Sequence, residues 1–191
     1  MNFLFRKYGR AVLSRFTKQE RGATAIEFAL VFPPFFYLLA MTFETGLMLF
    51  GEYTLDNATA ETGRLIRTGQ AQNSGMSSAD FKSQICDQVL LSDCGSKLHV
   101  DVRKYDSFSD VTTPSSISTD EDGNKEVSED ISTNSQFQAG GPGDVVVVRV
   151  YYEYELMMPQ VSVLGSMANL SGSRRLLTSS FAFKNEPYSE E

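Results

Sequence analysis

A single carboxylate, Glu27, lies near the start of a long apolar stretch, five residues after Gly22. The uncharged part of that stretch runs from Phe28 to Phe43. A charge at membrane depth is expensive and is usually kept for a function. Cleavage after Gly22 would make Ala23 the amino terminus, and its ammonium would pair with Glu27 of a neighbouring copy inside a bundle. The alternative is an interfacial glutamate beside the headgroups of a simple anchor.

The other residues that could do chemistry are few and scattered. His99 is the only histidine and falls at a predicted solvent-facing strand position, and one imidazole is too few for a metal site or a catalytic triad. The sequence has no glycine-rich phosphate loop, no G-x-S-x-G and no C-x-x-C. The run from Asp120 to Asn124 lacks the glycine position and the final glutamate of a calcium loop, which favours a solvated turn. We therefore predict no catalytic residues, no metal and no cofactor.

The two cysteines, Cys86 and Cys94, are candidates for a disulfide. A bridge between them would close a short loop and add about 2–3 kcal/mol to the free energy of unfolding. The alternative is a pair of free buried thiols. A disulfide would fit an oxidising compartment outside the cytoplasm.

Charge is divided unevenly along the chain. The whole chain has a net charge of −7 and residues 1–21 carry +5, so residues 22–191 carry −12. Acidity after the leader argues against nucleic-acid binding, because no basic surface is present to displace the counterions of phosphate. The basic leader is predicted to stay in the cytoplasm by the positive-inside tendency. The part after the apolar stretch is then outside the cytoplasmic membrane.

One long helix is predicted to position the amino-terminal residues. Residues 1–22 form a basic leader, 23–50 a transmembrane helix with an expected kink at Pro33-Pro34, and 51–69 its continuation beyond the membrane. A buried stripe is predicted from apolar and small residues three and four apart, namely Leu47, Gly51, Leu55, Ala58, Thr62 and Leu65/Ile66. Ordinary signal-peptide cleavage near Ala58-Thr59-Ala60 is the competing interpretation, and the length of the apolar region argues against it.

Residues 70–184 are predicted to form an α+β domain. A second helix begins at Ser77 or Ser78, and three strands follow: one from Leu98, a valine-rich central one from Val145 to Leu156, and one from Arg174 to Lys184. They are expected to form a three-stranded antiparallel sheet, with Asp101 and Arg149 on the face away from the core. Residues 106–143 are expected to be a flexible acidic insert and 185–191 a mobile tail.

The basic leader, Gly22, Glu27-Phe28 and the apolar helix together look like the processing region of type IV-like prepilins. More of the chain is similar to the TadE-like proteins of bacterial tight-adherence (Flp, type IVc) pilus systems. The segments that carry this resemblance are, in order, RGATAIEFALVFPPFF, RLIRTGQA, the Cys86–Cys94 helix, LHVDVRKY, GDVVVVRVYYEYEL and FKNEPY.

The resemblance implies a pilin-like fold and a non-enzymatic minor pseudopilin that helps to initiate or assemble a Flp adhesion pilus. It implies cleavage by a prepilin peptidase between Gly22 and Ala23, with Glu27 and Phe28 in assembly or recognition; Phe28 replaces the tyrosine of the major pilin. The implied partners are other pilus subunits, a membrane assembly platform, the peptidase and membrane lipid. The implied location is the inner membrane, with a single pass, a cytoplasmic amino terminus and a periplasmic domain. The alternative is an uncleaved, signal-anchored periplasmic binding module whose acidic insert captures a cation or a basic partner.

Overall fold

A computed structural model describes residues 22–158 and 167–188. The chain divides into two units with the boundary between Phe43 and Glu44. The helices are α1 (Ala23–Arg67), α2 (Gln70–Asn73), α3 (Ser78–Cys86), α4 (Cys94–Lys97) and α5 (Glu129–Ser132). The strands are β1 (Leu98–Tyr105), β2 (Ile117–Thr119), β3 (Lys125–Val127), β4 (Val145–Glu155) and β5 (Arg174–Lys184), and a 3-10 turn covers Phe108–Asp110. The fold is α+β, as the sequence predicts.

Helix α1 is long and apolar enough in its first part to cross a membrane, judged by length and composition. None of the residues in its most apolar 18-residue window is fully buried within the structure, as expected for a surface that meets lipid or other helices. The helix continues through Pro33 and Pro34, where the sequence predicts a kink. Arg64 and Arg67 lie in its last turn, where positive charge interacts favourably with the helix dipole.

The later part of α1 packs into the sheet domain, which is the unit from Glu44 onward. The predicted stripe is buried at Gly51, Leu55, Ala58, Thr62 and Ile66, and Leu65 is partly buried. Leu47 was expected to begin this stripe, but half of its surface is exposed. Met48 is the buried apolar residue at that level of the helix. The stripe therefore begins one residue later than the spacing predicts.

Helix α3 begins with a capping box. The hydroxyl of Ser77 accepts a hydrogen bond from the backbone N–H of Asp80, and the Asp80 carboxylate accepts one from the backbone N–H of Ser77. This arrangement satisfies two donors that the first turn would otherwise leave without partners. The hydrogen bonds from Ser77 lower the pKa of the Asp80 carboxyl. Phe81 and Ile85 then face the core, as their spacing predicts.

The main sheet has the strand order β1-β4-β5 and is antiparallel throughout. Its centre is β4, the valine-rich strand, which confirms the predicted central position. Leu98 pairs with Tyr152 at one end of the β1–β4 ladder, and Val145 pairs with Lys184 in the β4–β5 ladder. One face of the sheet packs against α3 and the buried stripe of α1. Leu177 and Phe183 of β5 join that core.

The second face of the sheet is also covered, although the sequence predicts a face with Asp101 and Arg149 that points away from the core. Ile131 of α5 packs there with Tyr151, Leu170 and Leu176. Every β4 residue from 145 to 152 is buried as a result. Asp101 and Arg149 were predicted to face away from the core, and they are buried in this second layer.

Residues 106–143, expected to be a loop or a disordered insert, contain several short elements that build the second layer. Strands β2 and β3 form a hairpin, and α5 follows it directly. Further along, the N–H of Val102 donates to the carbonyl of Gln136 at 2.7 Å, and the N–H of Gln138 donates back to the carbonyl of Val102 at 2.8 Å. The insert thus occupies the outer edge of β1, which protects that edge from pairing with another chain.

The last described residues pack against the sheet domain. Asn185 falls in the segment expected to be mobile, yet its side chain is buried and its amide donates to the carbonyls of Ala139 and Gly141 at 2.9 and 3.0 Å. Tyr188 lies against Gly69, where an added Cβ would collide with the phenol ring. Gly69 also has a φ of +78°, so two independent constraints require glycine at the end of α1. The sequence also predicts a crossing loop over residues 160–172, between β4 and β5, and residues 160–166 of it lie outside the described residues.

Candidate functional site

The residues predicted for processing and assembly lie at the start of α1. The helix begins at Ala23, so Gly22 stands just before it, and within the part of the chain that the structure describes no atom outside the adjacent backbone lies within 4 Å of a Cβ added at Gly22. Glu27 and Phe28 are both exposed on the second turn of the helix. The Gly22–Ala23 bond thus joins a residue in 3-10 geometry to the first residue of α1, and Glu27 lies on the surface of that helix.

The surface around Glu27 is aromatic and apolar. The rings of Phe28 and Phe32 are stacked with centroids 5.0 Å apart, and those of Phe32 and Phe36 are 5.6 Å apart. The spacing of four residues places the three rings on one side of the helix. Such a surface suits lipid or a neighbouring apolar helix, and Glu27 is the one charge that it carries between Ala23 and Phe43.

A second carboxylate of α1, Glu44, has a very different environment. It is only 1% exposed and lies at the first position of the sheet domain. Its side-chain oxygens accept hydrogen bonds from the backbone N–H groups of Met157, just beyond β4, and Met158, the latter at 3.0 Å. A buried carboxylate needs such donors to offset its lost hydration. Glu44 therefore fastens α1 to the chain that leaves β4.

A buried ionic cluster joins the insert to the second face of the sheet. Asp101, which is fully buried, accepts hydrogen bonds from Arg103 Nε at 2.9 Å and from the N–H of Gln136 at 3.0 Å. Arg149 is 4% exposed, lies 3.6 Å from the Asp101 carboxylate, and donates to the carbonyl of Thr112 at 2.6 Å. The hydrogen bond with Asp101 raises the pKa of the Arg103 guanidinium. Asp101 of β1 thus contacts the insert directly through Gln136, and Arg149 of β4 links it to the insert a second time through Thr112.

His99 belongs to a chain of charged side chains. Its Nε2 lies 3.0 Å from Glu153 Oε1, and Glu153 also pairs with Arg174. Arg174 reaches Glu126 of β3 at 2.6 Å. The sequence predicts a solvent-facing position for His99. Its side chain is only 18% exposed, and it lies beside the linked side chains of Glu153, Arg174 and Glu126. The arrangement ties the β2–β3 hairpin to the sheet.

Cys86 and Cys94 form a disulfide, with their Cα atoms 5.7 Å apart. The bridge joins the end of α3 to the start of α4 and closes the loop that contains Val89 and Leu90. For a sequence separation of eight residues, the lost entropy of the unfolded chain corresponds to about 2–3 kcal/mol of stabilisation. The bond therefore holds a loop that has little secondary structure of its own.

Residues 22–64 match the family model for TadE-like proteins. This match confirms the resemblance predicted from the sequence. It begins at Gly22, includes Glu27 and Phe28, and ends within the buried stripe of α1. The sheet lies beyond the matched residues. No curated protein and no solved structure matches the chain.

TadE-like proteins are a pilus-associated structural family, which gives this chain a coarse functional context. The matched residues include the helix start, where the chain has a glycine, a glutamate and an aromatic residue in close succession. The geometry of Gly22, Glu27 and Glu44 provides the basis for assigning a role to each of these residues.

The acidic run of the insert, Asp120 to Asn124, forms the turn of the β2–β3 hairpin. Asp120 accepts hydrogen bonds from the backbone N–H of Asn124 at 2.7 Å and from its side-chain amide at 3.1 Å. These bonds, with the side-chain one the largest contribution, lower the pKa of Asp120. Within residues 22–158 and 167–188, no cluster of three or more His, Cys, Asp or Glu side chains has the geometry to hold a metal ion.

Sequence reasoning missed the buried charges Glu44, Asp101 and Arg149. A signal for the last two was present in β4, where Val147 and Tyr151 place apolar side chains on the face assigned to solvent. A strand that is apolar on both faces is typical of a sheet covered on both sides. Glu44 offered no such signal, because its partners are backbone groups more than a hundred residues away.

Proposed function

We propose that this chain is a non-enzymatic minor pseudopilin, a membrane-inserted subunit that helps to initiate or assemble a Flp-type adhesion pilus. The observation that carries the proposal is the start of α1. There Gly22 stands just outside a membrane-length helix, and Glu27 is exposed on its apolar surface. The family match supports it, since it begins at that glycine.

In this proposal the basic leader stays in the cytoplasm, α1 crosses the inner membrane once, and the sheet domain lies in the periplasm. The Cys86–Cys94 disulfide supports a periplasmic location for the sheet domain, because the periplasm is oxidising. A prepilin peptidase removes the leader by cutting between Gly22 and Ala23. The mature subunit then meets other pilus subunits and the assembly platform within the membrane.

Glu27 sets the register of assembly. After cleavage it is the fifth residue, and its carboxylate accepts a hydrogen bond from the free ammonium of Ala23 of a neighbouring subunit. A carboxylate in an apolar bundle is costly without a partner and favourable with one, so subunits associate only at the position that pairs the charges. Phe28 and the stacked rings beyond it supply the apolar packing on the same helix.

Processing is tested by expressing the full chain with and without the prepilin peptidase and measuring the mass of the intact protein. With the peptidase, the mature chain should begin at Ala23. The variant Gly22→Leu should remain uncut. Because a Cβ at this position meets no residue of the described sheet domain, that domain should melt like that of the unaltered protein. A Met1 start in the presence of the peptidase would refute the processing step.

The register role predicts a specific loss in Glu27→Ala. A charge-assisted hydrogen bond is worth about 1.5–3 kcal/mol, so incorporation with other pilus subunits should fall roughly 10- to 100-fold. Co-purification of pilus subunits from detergent extracts measures this directly. Membrane insertion should be unchanged, Glu27→Asp should retain part of the association, and Thr42→Ala on the same helix should behave as the unaltered protein. Undiminished association of Glu27→Ala would contradict the charge pairing.

A further inference from the structure

The exposed side of α1 changes character within the sheet domain. Up to Tyr53 its exposed large residues are apolar or aromatic: Leu47, Leu49, Phe50 and Tyr53. After Tyr53 the exposed residues are polar or charged: Asp56, Asn57, Glu61 and Arg64. This change occurs ten residues after Phe43, the last residue of the uncharged run. The helix therefore keeps a largely apolar exterior well into the unit that begins at Glu44, and Glu52 is the one partly exposed charge between Glu44 and Tyr53.

Two segments remote in sequence extend the same apolar exterior. Leu90 is 84% exposed and Met157 is 70% exposed. Both line a groove of about 580 Å³ together with Leu47 and Phe50 of α1. We call these four residues the apolar patch. Contiguous apolar surface of this kind is uncommon on a soluble protein and marks a site of contact.

Contacts with the sheet domain fix the backbone of the two remote segments that contribute Leu90 and Met157 to the apolar patch. Glu44 binds the backbone N–H of Met157, which fixes the chain that carries this side chain. Leu90 lies inside the loop closed by the Cys86–Cys94 disulfide. The same loop is held by Tyr152, whose hydroxyl donates to the carbonyl of Ser92 at 2.6 Å. A buried charge, a covalent bond and a short hydrogen bond thus keep apolar side chains directed at the exterior.

We propose that the apolar patch is inserted into the headgroup and acyl boundary of the membrane, so that the bilayer surface lies between Tyr53 and Asp56. This inference rests on the proposed membrane insertion of α1 and adds that the sheet domain is itself partly immersed. The occupant of the groove is lipid, and no second protein is needed to cover it.

Continuity of the chain favours lipid over a protein partner. Leu47 follows Phe43 by four residues, which span at most about 14 Å of chain in any conformation. The patch is therefore tethered to the surface from which the apolar run emerges. Phe50 and Tyr53 are also of the aromatic type that is enriched at membrane interfaces.

The burial of Glu44 is consistent with a bilayer surface between Tyr53 and Asp56. Glu44 precedes Leu47 and Phe50 in the sequence of α1, so its carboxylate would lie at or below the proposed bilayer surface, where an unpaired charge is unfavourable. The protein shields Glu44 within the sheet domain and supplies two backbone donors. The apolar exterior of α1 can then continue past this charge without exposing it to lipid.

Single tryptophans test the inference, since the chain contains none. Phe36→Trp, Leu90→Trp and Phe108→Trp are each prepared in the full chain and reconstituted in phosphatidylcholine vesicles with or without bromine on the acyl chains. Phe36 belongs to the apolar run, Leu90 to the patch, and Phe108 is an exposed residue of the insert. A side chain seated roughly 5–10 Å into the boundary is within reach of bromine, so emission at position 90 should fall about twofold.

Phe36→Trp should be quenched most by bromine deep in the bilayer, Leu90→Trp by bromine near the carbonyls, and Phe108→Trp by neither. Loss of quenching at position 36 would refute membrane insertion and hence the proposed function. Quenching at 36 without quenching at 90 would overturn only the present inference. Unquenched emission at 90 that shifts with the protein-to-lipid ratio would assign the patch to a second copy instead. Met157→Trp repeats the measurement on the other segment and should agree with Leu90→Trp.

Discussion

Asp101→Ala is expected to lower the free energy of unfolding by about 3–5 kcal/mol, the range measured when one partner of a buried ion pair is removed. The change leaves Arg149 buried without the carboxylate 3.6 Å away. It also removes the acceptor of the bonds from Arg103 and from the backbone of Gln136. For a chain of this size, a loss of this magnitude lowers Tm by roughly 6–20 °C. Thermal unfolding of the full chain in detergent, followed by near-UV circular dichroism, measures it.

Asp106→Ala is the matched control for this prediction, because Asp106 is an exposed carboxylate a few residues further along the chain. It should change Tm by no more than about 2 °C, since surface substitutions usually stay within ±0.5 kcal/mol. A double variant, Asp101→Ala with Arg149→Met, should lose less stability than the two single variants together. A small effect of Asp101→Ala, comparable to that of Asp106→Ala, would show that the cluster contributes little to holding the insert on the sheet.

Glu44→Ala should destabilise the sheet domain by about 2–6 kcal/mol, because a buried donor without a partner costs roughly 1–3 kcal/mol and two donors are affected. These are the backbone N–H groups of Met157 and Met158. The effect should be local as well as global: hydrogen exchange at these two amides should accelerate before the rest of β4 exchanges. Mass spectrometry of peptides spanning the end of β4 gives this readout.

Glu61→Ala is the control on the same helix, since Glu61 is exposed and makes only a surface ion pair with Arg64. Such pairs contribute at most about 1 kcal/mol. Glu44→Gln retains one side-chain carbonyl and should fall between the unaltered protein and Glu44→Ala. Equal exchange rates at Met157 and Met158 in all these variants would contradict the role of Glu44 as the link between α1 and the end of β4.

Local patterns were sufficient to predict the regular elements. The capping residues Ser77 and Asp80 and the i, i+4 pair Phe81 and Ile85 define α3, because these interactions lie within one or two turns. Strand β4 was predicted to within one residue of its observed end, and its central position followed from the run of valines. Both successes rest on interactions between residues close in sequence, or on composition that only a buried strand accommodates.

The insert was harder to interpret because its few apolar residues are widely spaced. Ile117, Val127 and Ile131 are separated by polar turns, and none belongs to a periodic pattern long enough to predict an element. They become a layer only when the sheet supplies Tyr151 and Leu176 as partners. Composition alone therefore favoured a loop, whereas burial against the sheet gives these residues their structure.

The sequence by itself determined that a membrane-length helix begins after Gly22 with Glu27 on it, because apolar length, charge position and the glycine are all local properties. It also determined the antiparallel α+β pattern of the following domain. Only the tertiary structure decided which charges are buried. Glu27 and Glu44 look alike in the sequence, yet the first is exposed on the helix and the second is enclosed by the chain after β4. The physical reason is that burial depends on partners far away in sequence, and no spacing rule records where the end of β4 will meet α1.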